Sequence, residues 1–582
     1  MNRIKRQRNF RQSQTFKKKK TLSCIENLSN EIFYEIFDYI DGYNIYQAFS
    51  NLNIRLENLL ISPTLTMKIE ISSKTKLDSH YYKQFIRSNK YHIISIDFDS
   101  QSSLNDFMNL FIIDTLFVRL ESIILNSIST YKLLILLFYL KSLPNLSSLS
   151  ICLTNCSCDI GHIYQMIFHL SLKYFRVAVP QHPLLSITIP IAVQDQYSSI
   201  EYLLIYHRCT FNQLTNILLH TPRLSHLYCF NIIESDDNIK FKLINKLNNL
   251  THLTVTLRDI EFDEFENFLL KHCSQLELLN VKIYSMDEIY LDADRWEQLI
   301  TQNITSLTKF IFRYSDTIDE DFQITYCHSL INRFISSFWI DRKWIFKLLI
   351  EDDELIYSIR PYQETWIDIQ RYLYVKQGSK NNIDNSSNRY FSTVELDVTG
   401  NFLTENDEPL IKKINSIFNM IEITYLNIEC EQITVSMLII ILDALRNLNS
   451  IRLSNSPLCQ QMDLNIRDKN IFKKFLKINK ITKITLRNVT EQDRIDFILK
   501  HFSRIEFFGL EIVRDRDLKS IINYLFKNIK HNNIYHPMTI CVFCDDANYN
   551  KVEKLYQMIN SKNLLNNYTI YRQYDRFYIQ WK

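Results

Sequence analysis

Residues 250–281 read LTHLTVTLRDIEFDEFENFLLKHCSQLELLNV. Leu250, Leu253 and Val255 form an apolar triplet spaced by three and then two, and Leu276, Leu279 and Val281 repeat it 26 residues later. The short alternating run predicts a strand with one buried side, because successive strand side chains point to opposite faces. Between the triplets, Phe262 to Lys271 carries apolar residues at helical spacing. The unit is therefore one strand followed by one helix.

Working outward, the triplet recurs from Ile93-Ile96-Phe98 through Leu120-Ile123-Leu125, Leu146-Leu149-Ile151, Leu172-Phe175-Val177, Ile200-Leu203-Ile205 and Leu224-Leu227-Cys229 to Leu307-Phe310-Phe312. First positions are separated by 27, 26, 26, 28, 24, 26, 26 and 31 residues. The pattern returns at Ile423, Leu448, Ile481 and Ile505. Helix-like stretches also lie at Phe211 to Leu219, Val435 to Leu445 and Gln492 to His501. A strand and a helix per unit of this length resembles the leucine-rich repeat, although the asparagine or cysteine usual after the third apolar slot is mostly replaced, as by Ile128, Arg258 and Tyr284. The resemblance implies a degenerate solenoid in which each unit buries its face only against its neighbours and the strands line a concave side. Strand positions between the apolar slots then face that side: Tyr202, Leu204, His226, Tyr228, His252, Thr254, Asn280 and Lys282. Of these, Tyr202, His226, Tyr228, His252, Asn280 and Lys282 are the candidate client-binding residues.

Ahead of the repeats, residues 25–65 read IENLSNEIFYEIFDYIDGYNIYQAFSNLNIRLENLLISPTL. Leu28, Ile32, Phe33, Ile36, Phe37 and Ile40 recur at helical spacing; Ser29 suits the N-cap and Glu31 the first turn. Asp41-Gly42 is expected to end that helix, and a second one to run from Ile45 to about Leu60, before Pro63. The order and spacing of Leu28, Glu31, Ile32, Phe33, Ile36, Phe37, Tyr39, Ile40 and Ile45, with Leu52, Leu59 and Pro63, resemble an F-box. Ser29, Asn44 and Leu56 depart from the proline, aspartate and tryptophan usual in that family. The resemblance implies docking on the Skp-type adaptor of a cullin-based (SCF-type) ubiquitin ligase through Leu28, Ser29, Glu31, Ile32, Phe33, Ile36, Phe37, Ile40 and Ile45, with the repeats selecting a protein client. Two alternatives stand beside it: a repeat scaffold in which these helices only cap the solenoid, and a nuclear protein with nucleic-acid affinity through its basic tail.

That tail is residues 1–20, with nine Lys or Arg and no acid. Removing the nine from the total of 67 leaves 58 basic against 64 acidic residues, so the body is mildly acidic. Lys5-Arg6 and Lys17, Lys18, Lys19 and Lys20 have the spacing of a bipartite nuclear-import signal. With Phe10 and Phe16 as its only aromatic residues, the tail is thin for a dedicated single-strand binder, and a nucleic-acid partner is not expected. The expected location is nuclear, cytoplasmic or both. No apolar run approaches the ~18 residues of a membrane span.

Composition narrows the chemistry further. Five glycines in 582 residues, none within 20 positions of another, leave no room for G-x-G-x-x-G, the phosphate-binding loop or G-x-S-x-G. Cys541 and Cys544, and the group Cys152, Cys156 and Cys158, lack the matching half that zinc requires. Asp493 and Asp496 near His501, and Asp292, Asp294 and Glu297, read as solvated helix faces rather than catalytic or cation sites. The expectation is an α/β chain with no enzymatic activity, metal or cofactor. Its divisions are a basic tail at 1–23, an all-α F-box at 24–68, a first repeat block at 69–312, an irregular tryptophan-rich insert and polar loop at 313–392, and a second repeat block at 393–582.

Overall fold

The computed structural model describes residues 25–581 except 76, 78, 155–158, 180–185, 191–196, 235–246, 318–330, 352–353, 362–393, 400–401, 404–422, 431, 455–465, 488–492, 503, 512–517, 532–537, 544–548, 562–564, 566–567 and 574–575. The basic tail and its import signal, Trp366, Cys156, Cys158 and Cys544 lie outside the described residues. The chain is mixed α/β and its strands pair mostly in parallel. It divides into two compact units, one up to residue 154 and one from 155 onward.

The first unit opens with three helices, α1 (Asn30–Phe37), α2 (Gly42–Phe49) and α3 (Ile54–Leu60). Four strands follow: β1 (Met67–Ile71), β2 (Ile93–Phe98), β3 (Ser122–Ile128) and β4 (Ser148–Leu153), parallel and in that order. Parallel neighbours need a long crossover, and the helices His80–Asn89, Gln101–Leu110 and Thr130–Leu140 supply it.

The expected second helix is two. Asn51 adopts a left-handed φ of 59°, which asparagine tolerates, and Asn53 caps α3 by accepting from the Leu56 amide. Asp41 starts α2 rather than ending α1, its carboxylate accepting from the Tyr43 and Asn44 amides. Ser29 has the extended backbone of an N-cap, but its side chain caps no amide. Its hydroxyl instead hydrogen-bonds the Glu31 carboxylate, which together with the Glu31 amide and the charge of Arg55 holds Glu31 below its ordinary pKa.

Gly42 lies hard against β1. A Cβ there would stand 2.9 Å from the Met67 Cβ and 3.2 Å from Ile69 Cγ2. Gly42→Ala is therefore expected to lift α2 off the strand and to cost about 1–3 kcal/mol, read as a lower urea midpoint of the first unit.

In the second unit, β5 (Tyr174–Ala178), β6 (Tyr202–Tyr206), β8 (His226–Ile233), β9 (His252–Arg258), β10 (Leu278–Tyr284) and β11 (Lys309–Thr317) are consecutive parallel neighbours. The two-residue β7 (Cys209–Thr210) pairs with the end of β8. The expected irregular insert contains an ordered hairpin of β12 (Trp344–Glu351) and β13 (Glu354–Pro361). Space order is reversed there: β11 pairs antiparallel with β13, β13 with β12, and β12 parallel with β14 (Val394–Thr399). Trp339 and Trp344 are buried beside it, each ring about 6 Å from Phe310. Apolar bulk, not repeat spacing, holds this segment to the sheet.

Parallel pairing then resumes through β16 (Ile423–Ile428), β18 (Ser450–Ser454), β19 (Lys483–Arg487), β20 (Phe507–Glu511) and β21 (Met538–Phe543), with β15 (Phe402–Leu403) and β17 (Gln432–Ile433) forming a separate short pair. An antiparallel hairpin, β22 (Tyr568–Gln573) with β23 (Arg576–Trp581), closes the order through β23 on β21.

Every member of the triplet series from Ile93 to Phe312 is buried, as are Ile423, Leu448, Ile481 and Ile505. Strand burial alternates, for example buried at Leu203 and Ile205 and open at Tyr202, Leu204 and Tyr206. A parallel sheet covered on both faces would show continuous apolar strands; the alternation along β5, β6 and β10 leaves one face open there, whereas β13, β16, β20 and β21 are buried through most of their length. Among the described residues, no helix is long and apolar enough to cross a membrane.

Candidate functional site

The open face of the second unit is where the candidate client residues meet. Register places Tyr202 opposite His226 and His226 opposite His252. Their rings stack, Tyr202 on His226 at 4.2 Å and 21°, and His226 on His252 at 4.1 Å and 16°. One row along the strands, Leu204, Tyr228, Thr254 and Asn280 follow in register, and Lys282 lies one row further on β10. All six expected client-binding residues are thus on one open face of consecutive strands.

Hydrogen bonds orient the imidazoles. Ser225 donates its hydroxyl proton to the Glu201 carbonyl, and Thr251 donates its own to the Ser225 carbonyl. Each hydroxyl is then left to accept from the adjacent ring, Ser225 from His226 Nδ1–H and Thr251 from His252 Nδ1–H, both at 2.9 Å. In the neutral rings Nε2 keeps its lone pair. Burial first, and then the neighbouring His252, lowers the pKa of His226, while Glu277 opposes this.

A parallel stack joins Tyr206 and Phe230 at 4.2 Å and 14°, with the Arg176 guanidinium 4.9 Å from the Tyr206 ring centre. Sequence reading missed Phe230, although it is the next open slot after His226 and Tyr228; the alternation along β8 breaks only beyond it. Arg176 and Lys309 were also missed, although each occupies an open slot beside a triplet and could have been found there; Arg258 lies three residues past its triplet, beyond two buried positions.

Further along, the face is charged and internally paired. The Arg452 guanidinium donates to Glu511 at 2.8 Å, Arg487 donates to Glu511 at 2.9 Å and also pairs with Glu429, and the Asn427 side-chain amide donates to Glu429 at 3.3 Å. Lys347 pairs with Glu395 at 2.5 Å. Burial raises the Asp397 carboxyl above the ordinary range, with Lys347 pulling the other way. The ion-pair partners are 24 to 59 residues apart in sequence, so no local motif announces them.

In the first unit, the candidate adaptor residues divide by burial. Phe33, Phe37 and Ile45 are in the core, Leu28, Ile36 and Ile40 are half-buried, and Ser29, Glu31 and Ile32 are exposed. Phe33 and Phe37 pack on each other and on Phe49, which removes them from any contact surface. Exposed apolar residues remain at Ile25, Ile32, Tyr39, Leu52, Ile54 and Ile61, with Tyr39 at 92% and Ile54 at 82%. Arg55 ties α3 to the start of α1, donating to the carbonyls of Glu26 and Leu28 and to the Asn30 side chain.

An open cleft of about 530 Å³ between α2 and the start of the helix His80–Asn89 is lined by Asp41, Tyr43, Gln47, Glu70, Lys74 and Tyr82. Asp41 is occupied there by three backbone amides, those of Tyr43, Asn44 and Glu70. Among the described residues, no group of three or more His, Cys, Asp or Glu could hold a metal. Asp292 caps the helix Ala293–Asn303, Asp294 pairs with Arg333, and Glu297 accepts from Ser336 at 3.5 Å. Asp493 begins the helix Asp493–His501, which also contains Asp496. Compared with models of known protein families and with curated proteins, the chain matches none.

Proposed function

We propose that this chain is a non-catalytic interaction protein, a substrate receptor whose N-terminal helices dock on a Skp-type adaptor of a cullin-based ubiquitin ligase and whose repeat strands hold a protein client. The observation that carries the adaptor half is the apolar surface left after α1–α3 have packed. Ile32 lies on α1 and Ile54 on α3, both exposed, and the exposed Tyr39 and Ile61 stand just beyond the C-terminal ends of those two helices. Large apolar residues gathered in this way on a short segment mark a protein contact. The open, aromatic and polar strand face supports the client half. The reading belongs to the F-box and leucine-rich-repeat pattern of the sequence.

The test is co-expression with a Skp-type adaptor. A stable complex is expected, and Ile32→Asp should reduce capture by about tenfold or more, because it buries an unpaired charge while leaving the core intact. Phe37→Asp is unsuitable, since Phe37 is 2% exposed and the variant would unfold the helices. Absence of a complex where a control F-box binds would sink the adaptor reading.

A second reading has its own observation. Gly42 sits against Met67 and Ile69, so the helices also cover the first strand of the sheet and can act as a cap. Under that reading, removing residues 25–65 unfolds the first unit, and no adaptor is captured.

A further inference from the structure

The cations on the open face of the second unit are distributed unevenly. From β14 to β20 the bases face acids and pair with them, as Lys347 with Glu395 across β12 and β14 and Arg452 with Glu511 do. From β5 to β10 the open strand positions carry no Asp or Glu at all. The same rows hold Arg176, Arg258 and Lys282, and the first residue of β11 adds Lys309. Among the described residues, no carboxylate lies within ion-pair distance of Arg258, Lys282 or Lys309. Arg258 instead covers the Tyr284 ring at 4.8 Å. Glu201 and Glu277 stand just ahead of β6 and β10, at the rim. The body of this chain is acidic, yet here it keeps an acid-free basic and aromatic field.

We infer that this field, spanning β5 to β10 and ending at Lys309 on β11, before Arg313, which is already paired with Glu351, binds an acidic extended peptide segment of a client protein. Charge complementarity selects the sign: desolvating several unpaired cations is compensated only by anions. The ring geometry selects peptide over nucleic acid. Tyr202, His226 and His252 already cover one another's faces, so the inner faces of the column cannot receive a base, which single-strand binding by stacking requires. What the column offers outward is ring edges. Four strand intervals separate β5 from β10, about 19 Å at the usual spacing, which an extended segment of about six residues crosses. The inference deepens the client half of the proposed function and is independent of the adaptor half.

The experiment uses the full chain and three labelled probes in fluorescence anisotropy: an oligo-glutamate peptide, an oligo-lysine peptide and single-stranded oligouridylate matched in charge to the first. Because residues 1–20 attract any polyanion, all measurements are made with Lys17, Lys18, Lys19 and Lys20 replaced by Gln. Expected are binding of the glutamate peptide, none of the lysine peptide, and a loss of about tenfold or more in the doubly reversed Lys282→Glu/Lys309→Glu variant. Tyr202→Ala with His226→Ala should also weaken it, with the circular dichroism spectrum unchanged. Glutamate-peptide binding that survives the charge reversal would overturn the inference. So would oligouridylate binding that is tighter than the peptide's and lost on the same reversal, since the field would then serve nucleic acid. Adaptor capture measured on the same variants separates the two proposals: it should be unaffected by the charge reversal, and its absence from the parent chain counts only against the adaptor reading.

Discussion

Trp296→Ala is expected to destabilise the second unit by about 3–5 kcal/mol, the range for removing a buried tryptophan. The indole is fully buried in the helix Ala293–Asn303. Its Nε1 donates to the Tyr290 carbonyl at 2.9 Å, and its ring meets Phe262, Phe265, Phe310 and Phe312 at 5.0 to 6.4 Å. Phe262 and Phe265 belong to the preceding helix, while Phe310 and Phe312 belong to β11. One side chain therefore joins two successive strand–helix units. In an array whose members bury their faces only on neighbours, such a cavity weakens an interface as well as a unit. Urea unfolding followed by tryptophan fluorescence and circular dichroism measures the loss. A change under 1 kcal/mol would mean that the site collapses around the missing ring.

Acid should act on the same unit through two buried histidines. The Arg208 carbonyl can only accept, so His207 Nδ1 carries the proton, and Tyr164 donates to the bare Nε2 at 2.7 Å. Burial holds His207 down to about 4, against the Arg208 hydrogen bond. Burial also holds His272 down to about 4, with Lys271 adding to the effect, and neither ring nitrogen of His272 has a protein partner. A histidine with a depressed folded pKa is protonated more readily in the unfolded chain. Its stabilising contribution is complete above about 6.5 and is lost as pH falls toward 4. Each ring contributes at most about 3 kcal/mol to that loss. His272→Leu should match the parent near pH 7.5 and exceed its stability at pH 5, in urea unfolding at the two pH values. Equal stability at pH 5 would remove His272 from the account.

Inward residues were the legible part of this chain. The triplets mark what must leave water, and a strand that buries alternate positions writes that demand directly into the sequence. The same arithmetic located Tyr202, His226 and His252 on one face, because equivalent slots of successive repeats fall in register. Legibility ended where backbone geometry or distant pairing decided. Nothing in the apolar spacing of 45–60 separates α2 from α3; the break comes from the left-handed Asn51 and the cap at Asn53. Phe33 and Phe37 resembled contact residues because sequence reports that a side chain is apolar, not whether its own neighbours already cover it. The Glu511 network and the swapped order of β12 and β13 depend on residues dozens of positions apart.

That swap bears on how the chain is made. A run of parallel strand–helix units can settle progressively as it leaves the ribosome, each new strand covering the edge of the last. At β11 this progression stalls. The strand that covers its edge is β13, the later of the hairpin pair, so the edge stays open until translation has passed Pro361. During that interval a nascent second unit exposes the backbone of Phe312 to Thr317 as a pairing template for other chains, an aggregation hazard that ends when the hairpin closes on it.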